Sequence, residues 1–144
     1  MRVYLDNCCL NRPFDDQSSL VIYLETEAKL YVQELIRQCK LMLLWSFVLD
    51  YENSANPFEE VRNRIAEWKN FAYADCDLSN EIADKASELM KHGLRQMDAS
   101  HVACAIYLGA DCFLTTDKRI LNKQIMEIEI MNPIDFIRRY FDEE

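Results

Sequence analysis

The sequence predicts an α/β protein in which a parallel sheet carries helices on both faces. Three observations predict it. Short apolar runs that read as strands alternate with longer segments of helical periodicity. Two of those runs, RVYLD and CFLTTD, end in an aspartate, as strands do where they leave a sheet. A late segment, DASHVACAIYLG, is built from small residues that let a helix lie close against a sheet.

Met1–Asp6 reads as the first strand, followed by a loop, NCCLNRPFDDQ, with turn residues at Asn11, Pro13, Asp15 and Asp16. From Ser19 to Cys39, apolar residues at Val21, Leu24, Ala28, Tyr31, Leu35 and Cys39 step by three and four, which predicts one buried helical face. Leu41–Ser46 is a buried second strand, and a helical turn carrying Asp50 and Glu52 follows it. Asn56-Pro57 predicts a helix start with Glu59 at capping-box spacing and a stripe of Phe58, Val61, Ile65, Trp68 and Ala72. Tyr73–Cys76 is a weak strand. Ser79–His92 is a helix with Ile82, Ala86, Leu89 and Met90 inward and Gly93 at its C-terminal cap. Met97–Leu108 is expected to be the most buried helix. Cys112–Thr116 and Glu127–Met131 read as strands, and Asn132-Pro133 opens a final helix. No repeat or linker interrupts the chain, so residues 1–144 form one domain.

Composition removes several function classes. With only two glycines, Gly93 and Gly109, neither a P-loop nor a GxGxxG turn is present. Two histidines, His92 and His101, do not make a histidine-rich zinc site. Six cysteines lack CxxC spacing and read as reduced and mostly buried. No apolar run approaches the ~20 residues of a membrane span, and no room is left for a signal peptide, so a soluble cytoplasmic protein is expected. A net charge of −9 argues against broad nucleic-acid binding. It leaves room for a metal site that engages one phosphate while Arg12, Lys118, Arg119 and Lys123 hold its neighbours. A solvated surface is the competing reading of those four cations.

Four acids are expected to meet. Ligands of an open parallel sheet bind outside the carboxyl ends of its strands, where Asp6 and Asp117 fall. A helix from Asp98 to Leu108 rises roughly 16 Å. The strand Cys112–Thr116 returns about as far at ~3.3 Å per residue, so Asp98 and Asp117 finish at one end of the sheet. Glu52 is the fourth acid, with Asp50 competing for its place. Asp98 at a helix start is held ionised by the helix dipole on this reading. Helix capping is a second role open to both Asp98 and Asp117. Four carboxylates in one place repel, and a divalent cation relieves them. With oxygen ligands only, the cation is Mg²⁺ or Mn²⁺.

At these residues the chain resembles the PIN-domain family, particularly the VapC-like toxin ribonucleases of bacterial and archaeal toxin–antitoxin pairs. The likeness runs through VYLDNCCLN, SFVLDYEN, MDASHVACAIYLGADCFLTTDKRIL and NPIDFI. It implies a three-layer α/β/α fold with a five-stranded parallel sheet and four acids, Asp6, Glu52, Asp98 and Asp117, around one or two ions. Asp6, Asp98 and Asp117 would be metal ligands, and Glu52 a ligand or general base. Thr116 matches a position beside the metal in relatives, and Asn7 is a candidate orienting group where relatives carry a small hydroxyl residue. His101, one turn after Asp98, either reaches the site or packs within its helix layer. The resemblance further implies RNA as substrate, a cognate antitoxin partner and a homodimer. A PIN-fold protein with little or no cleavage, working through partners, is the alternative.

Overall fold

The computed structural model describes residues 1–141. Its sheet is five-stranded and wholly parallel, comprising β1 (Arg2–Leu5), β2 (Met42–Leu44), β3 (Ala72–Ala74), β4 (Cys112–Leu114) and β5 (Glu129–Met131) in the order β3-β2-β1-β4-β5. The chain builds outward from β1 on one side with β2 and β3, then returns to its other side with β4 and β5. β1 therefore lies at the point where the strand order reverses, where a crevice opens in sheets of this kind. Val3, Tyr4 and Leu5 are buried, and Tyr4 stacks on Phe113 of β4 with ring centroids 5.3 Å apart.

The helices are α1 (Asn7–Asn11), α2 (Leu20–Arg37), α3 (Phe47–Ser54), α4 (Glu59–Glu67), α5 (Asn80–Lys91), α6 (Gln96–Tyr107), α7 (Lys118–Leu121) and α8 (Pro133–Tyr140). Their starts follow local chemistry. Ser19, Ser46, Ser79 and Asn132 each accept a backbone N–H through the side chain. Gly93, at φ +96°, ends the turn after α5 as expected. α6 buries Ala99, His101, Val102, Ala103, Cys104 and Ala105, in line with its small-residue composition.

Several local expectations are corrected. The stretch after Asp6 is not a loop but the short helix α1, because the Asp6 carboxylate accepts the Asn7 N–H and caps it. α4 starts at Glu59 rather than Pro57, since Asn56 Oδ1 takes the Phe58 N–H and spends that residue on a turn; Phe58 is consequently exposed rather than part of the apolar stripe. Met90 faces solvent.

The largest correction concerns α2. Val21, Leu24 and Tyr31, assigned inward by periodicity, are exposed, while Glu25, Thr26, Lys29 and Gln33 are buried beside Val32, Leu35 and Ile36. The helix is apolar on two sides, so spacing alone does not say which side meets the sheet.

Candidate active site at the carboxyl edge of the sheet

Asp6 leaves the end of β1 and is 6% exposed. Its Oδ1 accepts the Asn7 N–H at 2.8 Å, and its Oδ2 accepts the Thr115 hydroxyl at 2.8 Å with the Cys8 thiol at 3.4 Å. Thr115 Oγ1 also accepts the Asp117 N–H at 3.1 Å, so one hydroxyl ties together the acids that follow β1 and β4. The expectation for Thr116 is thereby displaced by one residue. A strand alternates its faces, and Thr115 is the threonine whose hydroxyl reaches the acids.

Glu52 comes from α3, which follows β2. Both its oxygens are held: Asn7 Nδ2 donates to Oε2 at 3.0 Å, and His101 Nε2 is in hydrogen-bond contact with Oε1. Asp50 does not compete for the place. Its carboxylate accepts the Trp45 indole N–H at 2.9 Å and pairs with Lys69 at 2.9 Å, away from the acids.

His101 is fully buried on α6, with Nε2 3.8 Å from Asp6 Oδ1 and Nδ1 2.7 Å from the Tyr4 hydroxyl. Tyr4 Oη is also 2.6 Å from Ser46 Oγ, which accepts the Leu49 N–H as the cap of α3. A carboxylate only accepts hydrogen bonds. Nε2–H therefore donates to Glu52; in the neutral tautomer that this defines, Tyr4 O–H donates to Nδ1 and Ser46 O–H to Tyr4.

Asp98 lies in the first turn of α6 and Asp117 caps α7. With Asp6, Glu52, Asn7, Cys8, Arg95, Met97 and Arg119 they line one cleft of about 310 Å³. The two ends of the α6–β4 unit do meet, as the length arithmetic requires. Their electrostatics differ. Arg119 donates Nε and Nη2 to Asp117 at 3.2 and 3.0 Å and holds its carboxyl pKa below the ordinary carboxylate range. Asp98 is pushed above that range by burial first, then by the charges of Asp6 and Asp117. Partial burial and the two carboxylates thus act against the helix N-terminus, which is expected to favour the ionised form of Asp98.

Of the expected cations, Arg119 lines the cleft. Arg12 does not: it pairs with Asp15 at 2.8 Å and Glu25 at 3.0 Å. Lys118 and Lys123 are likewise not among the lining residues. Arg95 and Cys8 are cleft residues that sequence reasoning missed. Arg95 stands three residues before Asp98, which was the available signal.

The donor set suits a hard divalent cation. Oxygen atoms predominate, the carboxylates outnumber the two arginines, and Asn7 Oδ1 is buried without a partner among the described residues. The tightest group differs from the expected Asp6, Asp98 and Asp117: single atoms of Asp6, Glu52 and His101 lie within 4.8 Å of one another.

A family model described as PIN domain matches residues 3–125. No curated protein matches the sequence. Among solved structures, FitAcB from Neisseria gonorrhoeae superposes with a TM-score of 0.60 at 12% identity, covering 91% of this chain and 97% of that one. VapBC-1 from nontypeable Haemophilus influenzae gives 0.58 at 16% identity, covering 92% and 98%. VapBC2 from Rickettsia felis, bound to a DNA fragment from its promoter, gives 0.57 at 15% identity over the same shares. The family-model match spans most of the chain, and these structures share its fold: the chain belongs to the PIN domain family.

Proposed function

We propose that this chain is a metal-dependent endoribonuclease that hydrolyses RNA phosphodiester bonds as the toxin of a type II toxin–antitoxin pair. The observation that carries the proposal is the single cleft to which four separate segments bring Asp6, Glu52, Asp98 and Asp117. Asp6, Asp98 and Asp117 would hold one or two Mg²⁺ or Mn²⁺ ions. Bound there, such an ion supplies Lewis acidity for a water and for the phosphoryl oxygen.

The protein's own contribution is positioning. Glu52, hydrogen-bonded through both oxygens to Asn7 and His101, would serve as general base toward the attacking water or as a further ligand. Thr115 fixes the Asp6 carboxylate in the cleft wall through its hydrogen bond to Oδ2. Arg95 and Arg119 offer positive charge to the phosphates flanking the scissile one.

A partner protein is supported by α2. Its Leu20, Val21, Tyr23 and Leu24 are 70%, 60%, 47% and 46% exposed, an apolar row of the kind that marks an interaction surface. We assign that row to a cognate antitoxin or a second copy of the chain. No helix among the described residues is long and apolar enough to cross a membrane.

Defined single-stranded RNAs incubated with the protein and Mn²⁺, with the product ends mapped, test the proposal. Cleavage that requires Mn²⁺ and disappears in Asp98→Asn is expected. Equal cleavage by both proteins removes the proposal, and absence of both cleavage and Mn²⁺-dependent thermal stabilisation favours a binding module.

A further inference from the structure

A second polar site lies on the inner side of α2, where Lys29, Gln33 and Arg37 follow one another at intervals of four residues. That spacing stacks them along one line of the helix. The line faces Trp68, which follows α4, and the space between is a pocket of about 870 Å³ that shares no lining residue with the acid cleft. Lys29 is 3% exposed and Gln33 is 4% exposed. Among the described residues Gln33 Nε2 is buried without a partner, and Lys29 lines the same pocket. Arg37 stacks on the Trp68 ring at 4.8 Å, and the Lys29 ammonium lies 6.0 Å from the centroid of the same ring.

Two cations over one ring, with an unsatisfied amide between them along the helix, are costly unless something negative joins them. Burial, with Arg37 pushing the same way, brings the Lys29 ammonium down to about 7. The neighbouring carboxylates do not relieve it. Glu34 reaches Arg37 only at 3.8 Å from an exposed position, and Glu67 is exposed on the rim. Arg64, also lining the pocket, is shared with exposed Glu60 at 3.2 Å.

We propose that this pocket binds a small oxyanion group, phosphate or carboxylate, held by Lys29 and Gln33 from α2 with Arg37 closing over it. Its donors supply what an oxyanion requires: a buried ammonium, an amide N–H and a planar guanidinium. The rim acids Glu34 and Glu67 repel an extended polyanion, which favours a single anionic group over a nucleic-acid strand. This site is independent of the nuclease reading, and either can fail without the other.

Titration of the whole protein with inorganic phosphate, and separately with acetate, at ionic strength held constant with chloride tests it. The readout is the indole N–H signals of Trp45 and Trp68 in a ¹H–¹⁵N spectrum. A saturable shift at Trp68 with Trp45 unmoved is expected. The two titrations separate a tetrahedral from a planar preference. Lys29→Met and Gln33→Leu should each weaken the response about tenfold, the worth of one hydrogen bond to a charged group. Lys29→Met should melt in chloride no lower than the parent, since it removes a buried charge, so a lost response is not a lost fold. The same response in both variants, or no saturable shift with either anion, overturns the proposal. A short single-stranded RNA binding there as tightly as phosphate would overturn the exclusion of a strand.

Discussion

The Tyr4 hydroxyl stands 2.7 Å from Nδ1 of His101, whose Nε2 meets the carboxylate of Glu52. A wholly buried residue of the central strand thus orients an acid on α3 through a histidine on α6. Tyr4→Phe keeps the ring on Phe113 and removes only the hydroxyl, leaving Nδ1 without its donor. For the proposed nuclease, kcat should fall about tenfold with KM for RNA little changed, the lower end of what outer partners of a metal site contribute. Steady-state kinetics on one defined RNA checks this, and an unchanged kcat would separate Tyr4 from the chemistry.

Thr115→Val should be more damaging than Thr116→Val. The first removes the donor to buried Asp6 and the acceptor of the Asp117 N–H together. A loss of about 1–3 kcal/mol in urea unfolding is expected for the first, the penalty of an unsatisfied buried polar group, and much less for the second. Equal effects would contradict the assignment.

Asp98 carries a pH signature whose sign follows from its raised pKa. The folded protein holds that proton more tightly than the unfolded chain, so Asp98 lowers stability as pH rises from the ordinary value of 3.8 through the folded one, and costs a constant amount above it. Asp98→Asn without metal should therefore be more stable than the parent at pH 7, with the difference shrinking toward pH 4. Excess Mn²⁺ should reverse the order by stabilising the parent alone. Thermal melts at pH 4 and pH 7, with and without Mn²⁺, read both effects. Asp117 behaves oppositely: Arg119 lowers its pKa, so its contribution is present at neutral pH and lost as acid protonates it.

Leu20→Ser combined with Leu24→Asn should leave the melting temperature within about 2 °C, because both side chains are already exposed. If α2 is a contact between copies, the double variant should run as a monomer by light scattering where the parent does not. An unchanged mass would leave that row to a different protein.

The acids were legible because strand ends and helix lengths are arithmetic. Asp6 and Asp117 close apolar runs, and the rise of α6 balances the return of β4, so Asp98 had to arrive beside Asp117. Glu52 against Asp50 was not legible. Both lie on α3, and only the Trp45 indole and Lys69 decide that Asp50 turns away. Thr115 was missed for Thr116 because a one-residue difference in a strand end exchanges its faces. The inward side of α2 was misread because hydropathy weighs Lys29 and Gln33 as surface residues, although their apolar stems pack and their polar ends line an internal space.

The pairing of β1 with β4 joins residues more than a hundred positions apart, Val3 beside Cys112 and Leu5 beside Leu114. A polypeptide still emerging from the ribosome therefore lacks an assembled cleft until β4 and Asp117 have been synthesised and β4 has docked on the first strand. Nothing shorter than that brings Asp117 to Asp6. For the proposed nuclease, the order of translation itself withholds activity until that docking is made.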